Sequence, residues 1–220
     1  MDPNFWLENW EKGQTGFHLS EVNPVLLRHW EDLGLHSAKS VLVPLCGKSV
    51  DLSYLRTLGH QVVGLELSPI AIQEFWTAME AMPTRNEERG LIFWESEGIE
   101  IIEGDFFEIR PEDIELPAIV YDRAALIAMP LELQSRYANH LMDLAQGAPI
   151  FLVTFDYKPT EMAGPPFPIS RIRIGELFDD HYEISLIDSR DALNDNAGLV
   201  ARGLKALSES VWLLSPKQTS

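Results

Sequence analysis

Short runs of branched aliphatic residues recur along this chain, and between most of them the apolar residues repeat with a period near 3.6. Such alternation is what a parallel sheet covered on both faces by helices requires, so the expected class is α/β. The runs are KSVLVPL (39–45), QVVGLEL (61–67), AIVYD ending at Asp122, PIFLVTF (149–155), YEISLID (182–188) and SESVWLL (208–214). One or two further strands are expected within LIFWESEGIEIIEGDFFEI (91–109), around a turn at Glu97-Gly98. About seven strands result, the last pair closing the sheet in antiparallel fashion across the polar stretch Asp188 to Gly203. PIFLVTF is the most apolar run and reads as a central strand.

The spacing predicts lead-in helices over 4–12, with Phe5, Trp6 and Trp10, and over 24–34, opened by Pro24 and closed by Gly34. Further helices run through Leu52, Leu55 and Leu58 to Gly59, from a Ser68 cap through Ile72, Phe75 and Trp76, and through Leu133, Tyr137, Leu141 and Leu144 to Gly147. PTRNEERG (83–90) reads as a polar loop. DYKPTEMAGPPFPIS (156–170) holds four prolines and a glycine in fifteen residues, a loop long enough to cover a substrate.

At 220 residues, 45% of them hydrophobic, one core and one domain spanning 1–220 are expected. A formal net charge of -17 repels phosphate backbones and anionic lipid, which argues against nucleic-acid and membrane partners. Cys46 is the single cysteine, MDPNFWLENWEKG lacks the cationic and apolar regions of a signal peptide, and no apolar run is long enough to span a bilayer. A cytoplasmic monomer is the expectation.

VLVPLCGKSVDL (41–52) has the strand, glycine turn and helix with which α/β proteins hold nucleotides. A phosphate-binding loop ending in Gly47-Lys48-Ser49 needs a glycine where Leu42 stands, and a dinucleotide loop needs glycines at Ser49 and Leu52. Three predicted strand ends carry polar signals instead: Leu45-Cys46-Gly47, Glu66 nineteen residues after Gly47, and Gly104-Asp105-Phe106. Glu66 stands where a carboxylate would bind both ribose hydroxyls, Asp105 where it would meet an adenine amino group and Phe106 its ring. An adenosine site without a pyrophosphate cradle points to S-adenosylmethionine. Each feature also has a plainer reading: Gly47 as a turn, Glu66 as a solvated strand end beside the Ser68 cap, Asp105 as a turn residue, Asp122-Arg123 as a surface ion pair. Trp6, Trp10 and Phe17 would normally be core anchors on an amphipathic helix.

WLENWEKGQTGFH (Trp6 to His18), VPLCGKSVDLSYL (Val43 to Leu55), GHQVVGLELSPIAI (Gly59 to Ile72), GDFF (Gly104 to Phe107), YDRAALIAMP (Tyr121 to Pro130) and GPPFP (Gly164 to Pro168) closely resemble the thiopurine S-methyltransferases, in particular the bacterial branch. The resemblance implies the seven-stranded Rossmann-like sheet of class I methyltransferases, S-adenosylmethionine as methyl donor, and transfer to the sulfur of aromatic or heterocyclic thiols; selenium or tellurium species are further acceptors to assay. It implies donor contacts from Trp10, Leu45, Glu66 and Arg123, with Asp105 and Phe106 near the adenine; Gly47, from the turn, and Trp6, from the aromatic N-terminal segment, are read as donor contacts beside them. Phe17 becomes a wall for the acceptor ring, Arg123 the group that holds or orients the anionic acceptor, and the segment up to about residue 35 a lid. No residue is assigned to a metal. NDNAGLVARGLKAL (194–207) matches only loosely, and Arg202 is the one arginine there that stands for a second acceptor contact. Outside the family, a non-catalytic nucleoside-binding protein and a nicotinamide oxidoreductase remain as alternatives, the latter lacking its glycines.

Overall fold

Capping chemistry sets the helices. In the computed structural model, which describes residues 3–34 and 39–218, α1 (Pro3–Glu11) is followed by α2 (Pro24–His29), whose cap Asn23 accepts from the Val25 amide. After β1 (Ser40–Val43), the Ser49 hydroxyl accepts from the Asp51 amide to open α3 (Val50–Thr57). After β2 (Gln61–Glu66), the Ser68 hydroxyl accepts from the Ala71 amide to open α4 (Pro69–Ala78), with Pro69 in the first turn where its missing N–H costs nothing. Then come β3 (Thr84–Glu88), β4 (Leu91–Ser96), β5 (Ile99–Glu103), β6 (Ile119–Arg123) and α5 (Leu131–Ala145). β7 (Ile150–Asp156), α6 (Arg171–Phe178), β8 (Tyr182–Asp191), α7 (Ala197–Ala201) and β9 (Ser208–Pro216) complete the chain.

The chain separates after Ile119 into two units. In the first, the strands lie in the order β3-β4-β5-β2-β1, with β5, β2 and β1 parallel and β3 and β4 antiparallel. β1 and β2 are buried throughout except at Gln61, as strands covered on both faces must be. Trp30, just past α2, is fully buried and its Nε1 donates to His60 Nε2 at 3.1 Å, fastening the lead-in helices to the entrance of β2.

In the second unit β6 pairs parallel with β7, and β9 runs antiparallel between β7 and β8. β7 is flanked on both sides, which fits its continuous apolar run. Helix α5 buries Tyr137, Ala138, Leu141 and Leu144 on one face. No described helix is long and apolar enough to cross a membrane.

Nine strands are present among the described residues, where about seven are expected. Residues 91–109 resolve into two strands, β4 and β5, and the expected loop at 83–90 holds the edge strand β3. Every residue of β3 is exposed, so no apolar alternation could betray it; its backbone pairs with β4, and Arg85 stacks on its cross-strand partner Trp94 at 5.3 Å.

Candidate active site

The first unit joins three strand ends by hydrogen bonds. Beyond β1 the backbone turns sharply, with φ of 47° at Leu45 and 55° at Gly47. A leucine there is strained, and such strain concentrates at ligand sites. The Cys46 amide donates to the Leu65 carbonyl at 2.9 Å, and the Gly47 amide donates to Glu66 Oε2 at 2.8 Å. Glu66 Oε1 accepts from the Ser68 amide at 2.7 Å, and the Glu66 carbonyl accepts from Gly104 at 3.0 Å, bringing the Asp105 turn alongside. The three positions singled out in the sequence are therefore neighbours.

Glu66 is not a solvated strand end. Only 7% exposed, it has its pKa raised by burial, with the amides of Ser68, Gly47 and Leu67 pulling it back down. The Gly47 amide bonds one carboxylate oxygen and the Ser68 amide the other, so the group is held in one orientation in advance, with acceptor capacity left for hydroxyl donors. Cys46 is buried as well; desolvation and the Glu66 charge push its thiol well above the ordinary range, which favours the neutral thiol. Its sulfur packs against β2, where a Cβ on Gly64 would lie 2.7 Å from Sγ, so Gly64 is what lets turn and strand approach.

Trp10 is 5% exposed, and a Cβ on Gly47 would lie 3.1 Å from its Cζ2, so the indole rests directly on the turn. Lys48 Nζ sits 5.7 Å from the Trp10 ring centroid and pairs with Glu74 at 2.7 Å. Phe17 packs edge-on against both Trp6 and Trp10, at centroid distances of 5.4 and 5.6 Å, yet keeps 37% of its surface exposed. It has the free face that a ring wall needs. Residues 1, 2 and 35 of the expected lid lie outside the described residues.

Asp105 Oδ1 accepts from the Phe107 amide at 2.9 Å and caps the single turn Phe106–Glu108. Phe106 points into the core at 3% exposure, whereas the adjacent Phe107, which sequence reasoning passed over, is half-buried. Two consecutive phenylalanines give no periodicity by which to choose between them.

In the second unit, Asp122 and Arg123 end β6 and do not pair. Consecutive strand residues face opposite sides of a sheet. Asp122 is fully buried, its Oδ2 accepting from the Tyr137 hydroxyl at 2.8 Å and its Oδ1 from the Leu126 amide at 3.1 Å; Arg123 is half-buried and followed by Ala124 at φ 68°. The surface ion pair considered in the sequence is thus excluded by burial of the acid.

The sequence matches the family model "Thiopurine S-methyltransferase (TPMT)" over residues 1–217. The chain belongs to the thiopurine S-methyltransferase family. A thiopurine S-methyltransferase of Methylococcus capsulatus is 43% identical over 217 residues, 97% of each chain, and one of Shewanella amazonensis is 39% identical over 218 residues, 99% of this chain and all of its own. Among solved structures, Burkholderia thailandensis 1,6-didemethyltoxoflavin-N1-methyltransferase, with bound 1,6-didemethyltoxoflavin and S-adenosylhomocysteine, aligns with a TM-score of 0.63 at 16% identity, covering 97% of this chain and 87% of that one. Magnesium protoporphyrin IX methyltransferase of Synechocystis, with bound S-adenosylhomocysteine, gives 0.63 at 13% identity, covering 98% and 100%. These two share the fold.

The GPPFP segment of this thiopurine methyltransferase family member is fastened at consecutive carbonyls. Arg202, an exposed side chain, donates from Nη1 to the Pro165 carbonyl at 2.6 Å and from Nη2 to the Gly164 carbonyl at 3.3 Å; the Tyr157 hydroxyl donates to the Pro166 carbonyl at 2.6 Å. The guanidinium considered for an acceptor contact is engaged with the loop. Removing it in Arg202→Ala is expected to speed protease cleavage within 157–170 while lowering stability by only about 1 kcal/mol. Unchanged cleavage would show the loop to be held without it.

Proposed function

We propose that this chain transfers the methyl group of S-adenosylmethionine to the sulfur of aromatic or heterocyclic thiols, thiopurines among them. Family membership across residues 1–217 supports the reaction, and the observation that carries the donor half is the 2.8 Å bond from the Gly47 amide to Glu66. That bond fixes a buried carboxylate whose remaining lone pairs suit two ribose hydroxyls, beside a turn too poor in glycine to cradle a diphosphate.

When bound, the donor supplies an electrophilic methyl on a sulfonium, displaced in line as the positive charge vanishes. The residues then have to align and exclude water rather than provide a strong base. Gly47 and Glu66 hold the sugar; Trp10, resting on the turn, covers it; Asp105 and the turn that carries the buried Phe106 and the half-buried Phe107 stand for the adenine side, Trp6 and Leu45 for the remaining donor contacts. Phe17 offers its exposed face to the acceptor ring, and the segment up to about residue 35 acts as the lid. Arg123, planar and permanently charged, suits an anionic heteroaromatic thiolate better than a lysine would. Such thiols ionise readily, so no catalytic base is invoked.

In this proposal the protein works as one catalytic domain, a cytoplasmic monomer acting on a small-molecule thiol without nucleic acid. The single cysteine, buried, and the net charge of -17 support that setting.

Calorimetry with S-adenosylhomocysteine, followed by methyl-transfer assays over thiopurines, aryl thiols and inorganic selenium or tellurium species, tests the function. Binding of S-adenosylhomocysteine, no binding of reduced nicotinamide, and donor consumption only when a thiol is present are expected. Binding without turnover on any acceptor would turn the assignment toward a nucleoside-sensing protein.

A further inference from the structure

We propose that Asp122 and Tyr137 are positioning residues for Arg123, forming a buried strut that fixes the backbone from which this arginine projects. The inference rests on the proposed role of Arg123 in the methyl-transfer site.

Asp122 is fully buried in the second unit, a costly location for a carboxylate unless its oxygens are satisfied. A leucine would fill the same core volume without that cost, so what the acid adds is acceptors. Its Oδ1 reaches forward to the Leu126 amide at 3.1 Å, closing a ring of chain around Arg123 and Ala124. Ala124 lies at φ 68°, in the left-handed region that a residue bearing a Cβ rarely occupies, so the bend needs an external hold. Oδ2 is in turn held at 2.8 Å by the hydroxyl of Tyr137, itself fully buried on the inner face of α5.

Arg123 is thereby constrained from both directions. Before it, β6 is locked to β7 in the register that pairs Arg123 with Val153; after it, the carboxylate of Asp122 holds the exit. The same exit turn accepts the Phe167 amide at Ile127 O, at 2.6 Å, so the strut also governs where the GPPFP segment is hooked. Among the described residues no acid pairs with the Arg123 guanidinium, although Asp122 is its sequence neighbour; the strut aims the charge and leaves it uncancelled.

A double-mutant cycle separates this from a merely structural role. Tyr137→Phe keeps the ring in the core and removes only the hydroxyl; kcat/KM for a heteroaromatic thiol is expected to fall about 10-fold. In an Arg123→Ala background, itself slower by about 10- to 100-fold, adding Tyr137→Phe is expected to change kcat/KM by less than about 2-fold, because the strut has nothing left to aim. Asp122→Asn, which puts an amide nitrogen within the same contacts, is expected to behave likewise, with all variants assayed below their melting temperatures. Effects that multiply in the double mutants would overturn the strut while leaving Arg123 in the site. Wild-type rates in Arg123→Ala alone would remove that arginine and the strut together, and a wild-type chain that methylates no thiol would sink the proposed function on which both depend.

Discussion

Glu66→Ala is expected to bind S-adenosylhomocysteine about 5- to 150-fold more weakly than the wild type, corresponding to the roughly 1–3 kcal/mol that accompanies loss of hydrogen bonds from a buried charged acceptor. The structure makes the expectation sharper than the position of the acid alone. Glu66 is 7% exposed, and its two oxygens are already oriented by the Gly47 and Ser68 amides at 2.8 and 2.7 Å, so little ordering remains to be done when hydroxyls arrive. The same arrangement predicts a second effect. Truncation strands both amides at the joint between two strand ends, so unfolding stability should also fall, by about 1–3 kcal/mol for each amide that water does not reach. Calorimetry at a temperature where the variant remains folded separates the two. Glu66→Gln is the informative companion: it retains one acceptor oxygen but turns an N–H toward one of the amides, so both affinity and stability should fall between wild type and alanine. Unchanged affinity in Glu66→Ala would remove this residue from the donor site and leave it a fastening between turns.

Glu66 was legible from spacing because a strand, a turn and a helix have nearly fixed lengths; nineteen residues after Gly47 puts an acid at the neighbouring strand end, and the hydrogen bond between the two shows the register was right. Helices α3, α4 and α5 are legible for the same kind of reason, each combining a 3.6-residue apolar stripe with an end signal: the Gly59 exit, the Ser68 cap and the Gly147 exit, both glycines at positive φ. What escaped lacked such redundancy. Strand β3 has no buried face, so its existence rests on backbone pairing that sequence does not encode. Helix α6 begins RIRIGELF, whose first four letters alternate like a strand; only the Ser170 cap, bonded to the Arg173 amide at 3.2 Å, and the buried set Ile174, Leu177 and Phe178 disclose a helix. Asp122 is the hardest to read, because a charged pair in sequence suggests an ion pair, and only the alternation of strand faces puts the two on opposite sides of the sheet, the acid fully buried and the arginine half-buried.

That inward acid carries a pH signature large enough to measure. Burial raises the Asp122 pKa from its ordinary 3.8 to about 6, against the pull of the Leu126 amide, the Tyr137 hydroxyl and the Ala125 amide. A rise of about two units corresponds to about 3 kcal/mol of linkage between protonation and folding. Because the folded chain holds this proton more tightly than the unfolded chain, the contribution is fully present below about pH 4, is lost as pH rises through about 6, and is absent above. Asp122→Asn cannot titrate there, so the difference in unfolding free energy between wild type and variant is expected to shrink by about 3 kcal/mol from pH 4 to 7, then stay level. Urea titrations across that range check it, the subtraction cancelling every other carboxylate the two chains share. Parallel curves would mean that Asp122 ionises as easily folded as unfolded, and hence that its surroundings are wetter or better bonded than two amides and one hydroxyl provide. If the slope does appear, the ionised form persists at neutral pH against a standing cost. The acceptors it presents to Leu126 and Tyr137 are then what the site gains in exchange, a trade that an apolar core residue at the end of β6 could not make.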